Sequence, residues 1–352
     1  MALPERQLAT RDGAAASVNV THMPRYSVLD LAPIVEGGDA GDAFRNSADL
    51  ARHAEEWGYH RYWLAEHHNM PGIASAATAV VIGHVAGATK RIRVGAGDIM
   101  LPNHAPLIVA EQFGTLESLY PGRIDLGLGR APGTDMRTAR ALRRFLGSSG
   151  DTFPDDVREL QEYFRGADER VRAIPGAGLD VPLYLLGSSD FSARLAAELG
   201  LPFAFASHFA PEYLHYSLQL YRRDFKPSAQ LSGPYVIVGA GLYVADTDAE
   251  ARRLATSAQL QVLSLIRGAP RQMPPPVDSM EGLWHRAEQA AIEQRMQYAA
   301  IGSPETVERQ LRTLVAETSA DELMLVGQIY DHAARLRSYE LGAAVLQRID
   351  GA

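Results

Sequence analysis

The chain carries four short clusters whose side chains could do chemistry. The first is Glu66-His67-His68. Two adjacent histidines on an extended chain point in opposite directions, so they do not readily chelate one ion together. No HExxH accompanies them, and no carboxylate sits nearby at helical ligand spacing; no metal is expected. One imidazole is left that could move a proton near neutral pH or, equally, tie two loops together. The second cluster is Gly187-Ser188-Ser189-Asp190-Phe191-Ser192. A glycine-serine turn that opens a helix offers free backbone N–H groups and hydroxyls, which suit a phosphate or serve as a plain helix cap. Its three hydroxyls are offset by one acid, Asp190, whereas the later turn Asp246-Thr247-Asp248 would repel an anion. The third is Arg130-Ala131-Pro132-Gly133: Arg130 could meet a phosphate or pair with Asp135. The fourth, Leu101-Pro102-Asn103-His104, reads as a wall of whatever hollow the others surround.

These clusters need a frame, and the stretch Arg91–Asp135 shows its type. In its first strand Ile92, Val94 and Ala96 alternate with Arg93, Gly95 and Gly97. In its second, Ile124, Leu126 and Leu128 alternate with Arg123, Asp125, Gly127 and Gly129. Period-two alternation sends the two sets to opposite faces, the apolar one toward covering helices. The other set runs from charged at the strand start to glycine at its end. Missing side chains at the C-terminal ends of two parallel strands leave a flat hollow where α/β proteins bind ligands. The competing reading is that the glycines only relieve crowding.

The same beat continues along the chain. Strands are expected at Ser27–Ala32, Tyr59–Ala65, Pro182–Leu186, Pro202–Ala206, Tyr235–Val244 and Glu322–Val326. Helices are expected at Asp42–Trp57, Ser75–Ala88, Pro106–Leu119, Phe153–Phe164, Phe191–Leu199, Pro211–Asp224, Asp248–Arg267, Glu281–Ala299, Pro304–Glu317 and His332–Gln347, with Thr134–Phe145 in a long connection and Pro270–Asp278 as loop. Eight strand–helix units predict an α/β fold, a (β/α)8 TIM barrel with excursions after strands 4 and 7. Two doubly wound domains would need a dinucleotide fingerprint. The nearest candidate, Gly127 to Gly133, is one residue too long and places proline where a helix should start. On a barrel all four clusters fall on the active-site rim, and if Trp63 and Ala65 face the interior, so does His67.

Composition narrows the classes. Among 352 residues there is no cysteine, which excludes disulfides, thiolate catalysis and cysteine-held clusters and fits a cytoplasmic location. Residues 1–24 lack the apolar core of a signal peptide and read as a mobile leader before one domain, 25–352. No run is long enough to span a membrane. A net charge of −8 with interspersed signs argues against a nucleic-acid surface.

Several motifs together resemble the bacterial luciferase-like flavin monooxygenases, a family of (β/α)8 barrels. They are Tyr62-Trp63-Leu64-Ala65-Glu66-His67-His68, Gly87-Ala88-Thr89, Val94-Gly95-Ala96-Gly97, Leu101-Pro102 through Glu111, Pro121-Gly122-Arg123 with Gly127-Leu128-Gly129-Arg130, and Ala196 through Pro202. The resemblance covers roughly Arg25 to Gly342, and the Arg130–Asp135 run is similar to the group 1 members. It implies a two-component enzyme: reduced FMN from a separate NAD(P)H:flavin reductase reacts with O2, and the resulting C4a-peroxyflavin oxygenates a small organic substrate. His67 takes the place of the family's catalytic histidine. The implied cofactor-binding residues are Ala32, Gly97, Asp98, Gly129, Arg130, Gly187, Ser188, Ser189 and Ser192, with the phosphate near Ser189 and Ser192. A cis peptide near Ile82–Gly83 is also implied. Where light-emitting members have a reactive cysteine, this chain has Gly129, so light emission is not implied. The same barrel also serves deazaflavin-dependent hydride transfer and non-catalytic flavin binding. An Ala/Arg-rich chain fits a GC-rich genome, where stand-alone members tailor natural products such as aromatic polyketides. The family pairs through the helices beside strands two and three, and Ser75–Ala88 is almost wholly small and apolar, so a homodimer is expected.

Overall fold

A computed structural model describes residues 24–131, 136–142, 152–168 and 170–350. The leader, and Gly133 and Asp135 beside Arg130, lie outside these. Strands β1 (Arg25–Asp30), β2 (Arg61–Ala65), β3 (Arg93–Met100), β4 (Ile124–Gly129), β5 (Leu183–Gly187), β6 (Phe203–Phe205) and β7 (Val236–Val244) run parallel. β7 pairs with β9 (Glu322–Val326), and β9 pairs with β1. The ring of eight strands is therefore closed, as the strand count predicts. β8 (Ala300–Gly302) stands outside it, paired to the far end of β7.

Helices α1 (Ala40–Glu56), α2 (Thr78–Ala88), α3 (Pro106–Leu119), α4 (Met136–Leu142), α5 (Phe153–Arg165), α6 (Asp190–Leu199), α7 (Leu214–Asp224), α8 (Asp248–Ile266), α9 (Arg286–Arg295), α10 (Pro304–Thr318) and α11 (His332–Asp350) are the α-helices of the described residues. Alternation decides which residues go where. Val94, Ala96, Ile124, Leu126 and Leu128 join the apolar layer under the helices, while Leu29, Trp63, Ala65, Tyr184, Ile237 and Met324 fill the barrel interior.

The charged strand starts close the barrel's N-terminal end. Arg61 donates to Asp125 and Glu322, each at 2.8 Å, and to the Tyr184 hydroxyl at 2.7 Å. Trp63 Nε1 and Arg93 also donate to Asp125. Burial works against the charge on Asp125, but the two guanidiniums and these donors hold its carboxyl below the usual carboxylate range. Outside the barrel Arg335 pairs with buried Asp30 at 2.6 Å, and Ser47 and Tyr62 donate to the same carboxylate.

Two expectations are corrected. The Ile82–Gly83 peptide is trans; among the described residues the cis peptide is Ile174–Pro175. The helix expected over Glu281–Ala299 shrinks to α9, because its end turns into the approach to β8. Helix α2, expected to be covered by a partner subunit, has an open face in the single chain: Val80 is 74% exposed, and Ala77, His84 and Gly87 are exposed beside it.

Candidate active site at the barrel mouth

The C-terminal strand ends and the long excursion after β7 enclose a cavity of about 630 Å³. Its floor is the top of the barrel interior, with Leu29, Trp63, Ala65, Ile237 and Met324. Its roof comes from α8 and α9 and the chain beyond, with Ala258, Val262, Leu265, Arg295, Met296 and Ala299. Four methionines, Met70, Met100, Met296 and Met324, lie in the wall.

The four glycines of β3 and β4 divide into two pairs. A Cβ on Gly95 would collide with the Asp125 backbone, and one on Gly127 with the Ala96 carbonyl. These two let neighbouring strands approach, as the crowding reading holds. Gly97 and Gly129 line the cavity. A Cβ on Gly97 would strike Leu29, and one on Gly129 would strike the Asp98 carboxyl.

Asp98 reaches the cavity because of a register shift in β3 between Ala96 and Ile99. Strict alternation would send Asp98 toward the helices, but the bulge turns it inward beside Gly97 and returns Ile99 to the outer layer. Burial, with the Glu66 charge adding to it, pushes the Asp98 carboxyl up to about 8. At neutral pH it is mostly a neutral acid, able to donate a hydrogen bond.

His67 lines the cavity, as the parity of Trp63 and Ala65 predicts. Its Nδ1 is buried with no partner. Burial lowers its pKa to about 4 against the pull of Glu66. The expectation of an imidazole titrating near neutrality is therefore corrected: His67 is a standing neutral ring. Glu66 and His68 point the other way. Glu66 accepts from His68 Nε2 at 2.7 Å, His104 Nε2 at 2.8 Å and the Met100 N–H at 3.2 Å. Burial opposes its charge, but these donors keep the carboxyl low. The three side chains stand close enough to share a metal ion, a grouping the sequence reading missed because His104 comes from a distant turn. As arranged, hydrogen bonds account for them. They lie behind the wall, so Leu101–His104 braces Glu66 instead of lining the hollow; only the neighbouring Met100 does so.

Gly187, Ser188, Ser189 and Ser192 all line one corner of the cavity. Ser189 is the N-cap of α6, yet its hydroxyl makes no capping bond. That leaves it available to a ligand. A Cβ on Gly187 would overlap Ser192 Oγ. Arg130 joins this corner, its guanidinium 4.1 Å from the centre of the Phe191 ring. The offsetting acid is turned aside: Asp190 pairs with Arg194 at 3.4 Å. Ala32 does not reach the cavity wall. It is fully buried in a left-handed turn (φ 47°) after β1, its N–H donating to Asp30 and its carbonyl accepting from Ala74.

Two wall residues escaped the sequence reading. His208 comes three residues past β6, as His67 comes two past β2, and a histidine just beyond a strand end is a signal that could have been used. Its Nδ1 is buried without a partner, and burial plus the Arg295 and His67 neighbours lower its pKa to about 3. Arg295, in the last turn of α9, has no local signal.

The donor set fits a flavin mononucleotide. Gly97 and Gly129 let Leu29 and the Asp98 carboxyl sit back against the strands, which leaves room for a planar ring, and the corner of hydroxyls, helix N-terminus and guanidinium suits a phosphate. The profile of the luciferase-like monooxygenases matches residues 25–344. The chain is 57% identical to uncharacterized protein YvbT of Bacillus subtilis (strain 168) over 91% of this chain and 96% of that one. It is 53% identical to a luciferase-like monooxygenase of Escherichia coli (strain K12) over 93% and 98%. The crystal structure of apo-MsnO8 superposes with a TM-score of 0.86 at 35% identity, covering 93% of this chain and 99% of that one. At lower identity the fold recurs in the oxygenating component of 3,6-diketocamphane monooxygenase in complex with FMN (18%, TM-score 0.68) and in an F420-dependent secondary alcohol dehydrogenase (14%, 0.64). With residues 25–344 matched and relatives aligned end to end, the chain belongs to the luciferase-like monooxygenase family and is an oxygenating oxidoreductase.

Proposed function

We propose that this protein is the oxygenase of a two-component system, taking reduced FMN from a separate flavin reductase and using O2 to oxygenate a small organic molecule. The observation that carries the reading is one hollow with two unlike ends: a wall where Gly97 and Gly129 let Leu29 and the Asp98 carboxyl sit back against the strands, and a corner lined by both the uncapped Ser189 hydroxyl and Arg130. Gly187, Ser188, Ser189, Ser192 and Arg130 would hold the phosphate; Gly97, Gly129 and Asp98 would lie against the ring. Ala32 would act from behind, by fixing the turn after β1. Bound reduced flavin supplies the activation of O2. The protein's part is to keep that chemistry dry and to place a proton. The apolar walls and the α8–α9 roof exclude water. His67, a neutral ring on the wall, accepts or returns a proton at the mouth, while Asp98 offers a neutral acid from the neighbouring strand β3.

A cavity of this size and largely apolar lining suits a ring system and a small substrate together. An aromatic natural-product precursor is one substrate class that fits. The open α2 face at Val80, next to α3 with Ile108 and Leu119 exposed, supports a homodimer. No helix among the described residues is long and apolar enough to cross a membrane, and the absence of cysteine accords with a cytoplasmic setting.

The test is an anaerobic titration of the purified protein with FMN, reduced FMN and a deazaflavin, followed by admission of air. The expected result is preferential binding of reduced FMN and rapid O2 consumption. Deazaflavin binding with no O2 uptake would move the protein to hydride transfer, in line with the F420-dependent neighbour. Tight FMN binding with no O2 chemistry would leave a flavin-binding protein.

A further inference from the structure

Arg295 is a charged group on the cavity wall that the flavin reading does not use. It enters the roof from the last turn of α9, and its guanidinium lies 5.5 Å from the centre of the Phe209 ring. It forms no ion pair or hydrogen bond with any described residue beyond this ring contact, and burial alone accounts for the lowering of its pKa. Its charge is felt by His67 after β2 and His208 after β6, which face each other across the barrel. Both imidazoles are neutral, and each keeps a buried, unpartnered Nδ1. The carboxyl on the cavity wall, Asp98, is not a neighbour that offsets it, because its surroundings are set by Glu66.

A guanidinium so placed has already lost part of its hydration without gaining a counter-ion. An arriving anion would recover the Coulomb energy without a second large desolvation of the cation. Two anions could use it, the flavin phosphate and an acidic group on the substrate. The phosphate already has a corner at β4, β5 and α6, with its own guanidinium and hydroxyls. Arg295 stands over the space between β2 and β6, on the roof side. We propose that Arg295, with His67 and His208 beside it, forms an anion subsite, and that the substrate carries a carboxylate or similar oxyanion at the end that meets α9. This rests on the flavin reading only in assigning the phosphate elsewhere.

The experiment is calorimetric binding of octanoate and octanol to the flavin-free protein and to the FMN-saturated protein, in wild type, Arg295→Met and Arg295→Lys. Octanoate is expected to bind at least about tenfold more tightly than octanol in wild type. The preference should vanish in Arg295→Met and return in part in Arg295→Lys, with FMN affinity within about twofold of wild type in all three. A fall in FMN affinity in Arg295→Met with the octanoate preference intact would make Arg295 a flavin-phosphate ligand and overturn the proposal. Equal binding of octanoate and octanol, or no octanoate binding, would overturn it as well. If FMN fails to bind while the octanoate preference holds in flavin-free protein, the flavin reading falls and the anion subsite stands.

Discussion

At the residue scale, the cavity wall carries titratable groups held in uncharged forms. His67 and His208 are kept neutral by burial, and Asp98 is kept largely protonated by burial and by Glu66. His67→Ala should leave FMN binding within about twofold but lower the yield of oxygenated product and raise free hydrogen peroxide. Unchanged coupling of flavin oxidation to product would remove His67 from the chemistry. Because its pKa lies near 4, no activity limb between pH 6 and 8 should belong to His67. Asp98 has the opposite sign. A carboxyl raised to about 8 keeps its proton in the fold but loses it in the unfolded chain above about pH 4, so it lowers stability as pH rises toward 8. Asp98→Asn should therefore raise Tm more at pH 8 than at pH 5. Much of this level was hidden in the sequence. His67 could be found by strand parity, and the same parity would have misdirected Asp98, since a one-residue bulge leaves no mark in GAGDIM. Arg295 looks like any exposed helical arginine until the chain folds back over the barrel.

At the element scale, the start of α6 separates ligand binding from helix stability. Since the Ser189 hydroxyl makes no capping bond, Ser189→Ala should change stability by less than about 0.5 kcal/mol, below the usual cost of losing a cap. FMN affinity should nevertheless fall several-fold. A large loss in urea stability with unchanged FMN affinity would show that the serine serves the helix only. The elements themselves were readable because their signals are long: α3 matches its expected span of Pro106–Leu119, and β3 and β4 show clean alternation. β8 was not, because three residues, Ala300–Gly302, hold no period, and the helical pattern before them runs on past the true end of α9. The roof is thus the least legible part of the fold and also the part that supplies Arg295.

For the whole molecule, stability and chemistry sit at opposite ends of one barrel. Asp125→Ala would leave Arg61 short of a partner in the sealed end, and breaking such a pair costs about 3 to 5 kcal/mol. The urea midpoint should drop accordingly while FMN affinity stays unchanged. Asp30 and Asp125 are held below their ordinary 3.8. The stability they add is full above that value and is lost as pH falls through the depressed folded values. Acid unfolding monitored by circular dichroism should begin below about pH 4 and should shift to higher pH in Arg335→Met. On the outer surface, Val80→Glu on the open α2 face should convert a dimer to a monomer by light scattering at micromolar concentration; a monomeric wild type would refute the homodimer.

The four methionines in the cavity wall set a working lifetime. A chain with no cysteine has no thiol to absorb stray oxidant, so peroxide released when a turnover miscarries meets thioethers first. Met70, Met100, Met296 and Met324 would be converted to sulfoxides, turning apolar wall into polar wall and admitting the water the site must exclude. Each misfire would then make the next more frequent. Wear should therefore be self-accelerating, and peptide mass spectra of a spent sample should show single added oxygens on these four residues before the methionines packed elsewhere.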